Sequence, residues 1–255
     1  MKMTAETMAA KLAEIPDLPL VAVILYGSAA SGDHAGAKSD LNLLIVLERL
    51  GRTELDKLAE PTRQWIRAGQ PPPLMFTRDR LVRSADVFPI ELQDLKETAR
   101  ILRGEDALQD VTIHPEHLRI EVEHELKGKL AYLQSEYLRT GGRDRPLRAL
   151  MSESLSTFLV LARALLRFFD PQIPPRKMEA LHALCKHVDL DAEAFEQVRA
   201  VKEGRSTPRG EMLRAMFDRY LSAIEQLAVT ADTKLDPHGG ARLAGDTERK
   251  ERASK

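Results

Sequence analysis

Asp40 and Asn42 stand at the head of the apolar run Leu41–Leu47, and eleven residues separate Asp40 from the pair Gly27-Ser28. Strand side chains alternate between faces, so a strand here sends Asp40 and Asn42 to one side, toward the Gly-Ser turn. A carboxylate in that place either holds a ligand or cation, or caps the preceding loop through backbone N–H groups. An amide two positions on is a hydrogen-bonding group rather than a ligand for a hard metal ion. Other residues with reactive potential have blander readings. His117, Glu121 and His124 share a helix face near His114, as a metal site or as a polar stripe. Arg176 and His182 fall on an ordinary amphipathic helix. Arg143 and Arg145 follow a Gly-Gly break, where solvated loop charges are common.

The surrounding sequence supplies the elements that would position Asp40 and Asn42. Leu20–Tyr26 is continuous and apolar and predicts a buried strand ending at Gly27-Ser28. Residues 31–38 hold two glycines, an aspartate and a histidine, and predict a surface loop. Residues 4–14 predict a short helix. Thr53-Glu-Leu-Asp56 predicts a capped start to a helix reaching Ala68, with Pro61 kinking or restarting it. A short strand, Leu74–Thr77, follows the stop Gly69-Gln-Pro-Pro-Pro73, and a small helix spans 79–86. Pro89 in Phe88–Leu95 predicts an edge strand or the first residue of a strand. Strand signals cease near residue 95. Helices are expected at 115–139, 147–169, 176–188, 191–203 and 210–229. The fold class is therefore α+β, a small mixed β-sheet domain over 1–112 followed by an all-helical bundle over 113–231. The junction lies between Asp110 and Pro115, and residues 232–255 read as a disordered tail.

With 43% hydrophobic residues the chain can bury a real core. Lys and Arg number 38 against 39 acids, a net charge of −1, which argues against strong electrostatic attraction to nucleic acid or membrane. The sole cysteine, Cys185, excludes an internal disulfide. The N-terminal residues lack a signal peptide's apolar core, and no apolar run approaches the roughly 20 residues of a membrane helix. The expectation is a cytoplasmic protein with no membrane partner; a homo-oligomer remains open.

The order apolar strand, Gly27-Ser28, loop, then Asp40-Leu-Asn42 on a second strand resembles the signature of the nucleotidyltransferase superfamily, the DNA polymerase β-like enzymes. The first 105 or so residues look like the catalytic domain of the kanamycin and streptomycin nucleotidyltransferases and of the minimal nucleotidyltransferases. The helices after them look like the bundle that follows it. The resemblance implies that Gly27 and Ser28 hold the phosphates of a nucleoside triphosphate. It also implies that three carboxylates hold magnesium and that the bundle shapes a pocket for a small-molecule or protein acceptor. Asp40 matches the first carboxylate, as metal ligand and catalytic residue. Asn42 stands at the second, where only nucleotide contact is left to it. Family members often read Pro-Leu-Glu-Val-Thr on the third strand; here Pro73-Leu-Met-Phe-Thr77 puts Met75 at the glutamate's place. Glu91 is the candidate replacement, with Asp33 and Glu48 behind it. Two classes follow: an enzyme using Asp40 and Glu91 with magnesium, or a nucleotide- or partner-binding protein whose metal triad is degenerate and whose catalysis is reduced or absent.

Overall fold

The computed structural model describes residues 3–31 and 40–234, and its contacts divide the chain into two units, Met1–His114 and Pro115–Lys255. The first unit is built on a four-stranded mixed sheet in the order β3-β2-β1-β4. Its strands are β1 (Leu20–Tyr26), β2 (Asn42–Leu47), β3 (Leu74–Thr77) and β4 (Arg100–Gly104). β1 runs antiparallel to β2, with Tyr26 opposite Asn42, and β2 runs parallel to β3, with Leu44 beside Leu74 and Ile45 beside Met75. β1 and β2 are apolar on both faces because both faces are covered.

Alternation divides their side chains cleanly. Val23, Leu25, Leu43, Ile45 and Leu47 pack with Met8 and Leu12 of α1 (Ala5–Ala13) and with Leu58 and Trp65 of α3 (Arg52–Arg67). Ala22, Ile24, Leu44 and Val46 pack on the opposite face with Leu81 of α4 (Arg78–Arg83) and with Leu92 and Leu95 of α5 (Pro89–Thr98). A four-residue helix, α2 (Ser28–Ser31), follows the Gly27 turn.

Four expectations change here. Phe88–Leu95 is helical, because Pro89 occupies the first helical position, where its missing N–H is not needed. Strand structure does not end near residue 95: β4 pairs antiparallel with β1, and Gly104 sits there at φ 84°. A Cβ on Gly104 would stand 1.9 Å from the Val21 carbonyl oxygen, so the pairing requires glycine. α3 begins at Arg52, and Glu54 rather than Thr53 serves its start, accepting the Gly51 N–H at 2.9 Å. Pro61 lies inside α3 without restarting it, since that helix gains its stability from packing Leu58 and Trp65.

Every described element of the second unit is a helix: α6 (Pro115–Thr140), α7 (Asp144–Leu166), α8 (Lys177–Leu184), α9 (Ala192–Lys202) and α10 (Gly210–Lys234). α10 extends past the expected start of the tail to Lys234, and Asp232 accepts from Lys127 Nζ of α6 at 2.7 Å. The remainder of that tail, 235–255, and most of the 31–38 loop lie outside the described residues. α7, 23 residues long, has the length and hydropathy to span a membrane, contrary to the sequence expectation. Over half of its apolar window is buried, against α6, α8, α9 and α10, as befits the central helix of a bundle.

Candidate functional site

Gly27 ends β1 with φ 77°, a conformation that glycine adopts freely and other residues resist. Its carbonyl accepts the Ala30 N–H at 3.0 Å, closing the turn that puts Ser28 at the start of α2. Asn42 lies directly across the sheet from Tyr26, and a Cβ at Gly27 would be 3.0 Å from Asn42 Nδ2. The structure thus brings together Gly27, the Ser28 position and Asn42 at one end of β1 and β2. Asn42 is half-buried and shares its face with Leu44 and Val46, the face covered by α5.

Asp40 precedes β2 and is exposed. Its place is set by its neighbour: the Leu41 N–H donates to Gln70 Oε1 at 2.8 Å, and Leu41 itself packs with the α1–α3 cluster. Gln70 is in turn held by buried Trp65, whose Nε1 donates to the Pro71 carbonyl at 2.8 Å. Sequence reading missed Gln70 and Tyr26. Gln70's only signal was a polar residue between the end of a helix and three prolines. Tyr26's was its place immediately before the glycine; burial pushes its phenol pKa upward.

Position 75 does not carry the role that the resemblance assigns to it. Met75 pairs with Ile45 and packs with the α1–α3 cluster, on the face opposite Asn42. The β3 residue on Asn42's face near that end is Leu74, 46% exposed. Leu74–Thr77 carries no carboxylate on either face. Glu91 is exposed in the first turn of α5, on a helix covering Asn42's side of the sheet. Glu48 follows β2 at its far end and pairs with Arg78 at 3.5 Å, so its charge is engaged there. Asp33 falls outside the described residues. Among the described residues, no three His, Cys, Asp or Glu side chains are grouped to hold a metal ion, His117, Glu121 and His124 included. Arg176 pairs with Glu179 at 3.1 Å and His182 with Glu196 at 3.4 Å.

No family model and no curated protein matches the sequence. Among solved structures, the chain is similar to spectinomycin adenyltransferase AAD(9) from Enterococcus faecialis, a structure with ATP and spectinomycin. The TM-score is 0.53 at 14% identity, over 90% of this chain and 98% of that one. The likeness is one of fold. The chain has a fold like that adenyltransferase's, a small mixed sheet followed by helices.

Proposed function

We propose that this protein binds a nucleoside triphosphate on a nucleotidyltransferase fold whose metal-dependent transfer is weak or lost. The observation that carries the reading is the donor set at the end of the sheet. Asp40 offers one carboxylate, Asn42 an amide, and the facing β3 residue is Leu74. Magnesium needs near-octahedral charged oxygen ligands and gives up its waters reluctantly. These residues do not fit a magnesium pair.

The chain's own groups suit phosphate binding better. Gly27 supplies the left-handed turn, and Ser28 follows it at the start of α2, where the family resemblance implies phosphate contact. The Asn42 amide donates hydrogen bonds without adding charge. Asp40 is then an exposed carboxylate beside the Leu41–Gln70 contact, not a triad member. The related adenyltransferase structure, with ATP present, supports a nucleotide as partner. A second reading, transfer supported by Asp40 and Glu91, draws on α5 covering the face that carries Asn42.

Calorimetric titration with the four nucleoside triphosphates, with and without magnesium, tests the proposal. Nucleotide binding that magnesium tightens less than tenfold is the expected result. A hundredfold gain, or measurable nucleotide transfer to an added hydroxyl compound that Glu91→Gln abolishes, establishes the second reading. Absence of any nucleotide binding overturns both.

A further inference from the structure

Between α6 and α7, inside the second unit, lies a cavity of about 240 Å³ whose wall mixes apolar and polar groups. Tyr132, Leu133, Leu150 and Phe158 supply the apolar wall. Phe158 is fixed from behind by Tyr220 of α10, edge to face at a centroid distance of 6.3 Å. Ser154 is fixed too, its Oγ 3.2 Å from the Tyr220 hydroxyl. The floor is therefore held by three helices, and such a preorganised floor costs little to bind against.

The charges on the wall are unequally committed. Lys129 pairs with Glu125 at 3.4 Å, and Glu136 pairs with Arg139 at 3.0 Å. Glu153 makes no ion pair or hydrogen bond among the described residues, although Arg and Lys are abundant on these helices. One uncommitted carboxylate beside two hydroxyls, Ser154 and Thr157, and two aromatic rings is the donor set for a single ammonium group on an apolar body. Size narrows the ligand further. The volume equals that of about eight waters and falls below the usual range for drug-sized ligands. A nucleoside triphosphate is far too large for it.

We propose that this cavity is a binding site for a small arylalkyl monoamine of about eight to ten non-hydrogen atoms. Its ammonium pairs with Glu153 and reaches the Thr157 hydroxyl, and its ring lies between Tyr132 and Phe158. The site belongs to the helical unit alone and does not depend on the nucleotide reading.

The test titrates the purified full-length protein with 2-phenylethylamine and, separately, with 2-phenylethanol, which has the same shape without the charge. The amine should bind about threefold more tightly than the alcohol, since Glu153 is exposed and solvent screens the pair. Glu153→Gln should remove that difference, and Tyr132→Ala, at a residue 62% exposed, should weaken both compounds without lowering the melting temperature. No binding at millimolar amine, equal affinity for amine and alcohol, or amine binding untouched by Glu153→Gln would each overturn the proposal.

Discussion

A carboxylate added at position 74, together with Asn42→Asp, should give nucleotide binding a magnesium dependence that one added at position 75 does not. Leu74 shares the face of Asn42 and is 46% exposed. Leu74→Glu therefore sacrifices little burial and should stay within about 0.5 kcal/mol of the parent. Met75 points the other way, into the cluster of Met8, Leu58 and Trp65. A carboxylate there sheds part of its hydration, which costs about 2 kcal/mol; Arg63 and Arg67, lining the same groove, bring that nearer 1. For a unit of this size the melting temperature should fall by about 4–10 °C. Asn42→Asp/Leu74→Glu adds two carboxylates to Asp40 at one end of the sheet. Magnesium should then tighten ATP binding at least tenfold, about 1.4 kcal/mol. Melting curves and calorimetry with ATP, with and without magnesium, read both quantities. If Asn42→Asp/Met75→Glu gains as much magnesium dependence and melts normally, the assignment of faces is wrong.

Other perturbations probe the same region. Gly27→Ala should cost about 1–2 kcal/mol in urea unfolding, from the left-handed backbone, and should weaken nucleotide binding. Adding Asn42→Ala should relieve the 3.0 Å contact but leave the backbone cost, so full recovery would contradict the geometry. Asp40→Asn keeps the side chain's size and removes a negative charge near the phosphates. ATP binding without metal, measured by calorimetry, should be unchanged or slightly tighter. A parent transfer activity lost in that variant would refute the non-catalytic reading. The Gly51 N–H and the Arg49 guanidinium hold the Glu54 carboxyl below its ordinary pKa of 4.5. A lowered folded-state pKa stabilises the fold above the ordinary value and is lost as pH falls through the lowered one. Denaturant unfolding at pH 6 and pH 3.5 should show a smaller acid loss for Glu54→Gln than for the parent.

Much of the framework was legible because its signals are local. Leu20–Tyr26 and Asn42–Leu47 are apolar runs with turn residues around them, and the helices of the second unit carry long apolar periods. Phe88–Leu95 misled because apolar residues at 88, 90 and 92 alternate as in a strand. Leu92 and Leu95 also fit one face of a helix, and their packing against the sheet chose the helix. β4 was invisible because Arg100–Gly104 is a largely exposed edge, with only Leu102 packed among its side chains, and exists by pairing with β1.

The sequence by itself determined that Gly27-Ser28 and Asn42 would meet, because two successive apolar strands pair antiparallel and bring their joined ends together. It also determined that no carboxylate lies on Leu74–Thr77. Only the tertiary structure decided which β3 side chain shares Asn42's face. β2 and β3 are parallel and connected through α3, so no turn sets their alignment, and a slip of one residue moves every side chain to the other face. The packing of Met75, Leu58 and Trp65 settles that register, and it leaves Leu74 beside the site.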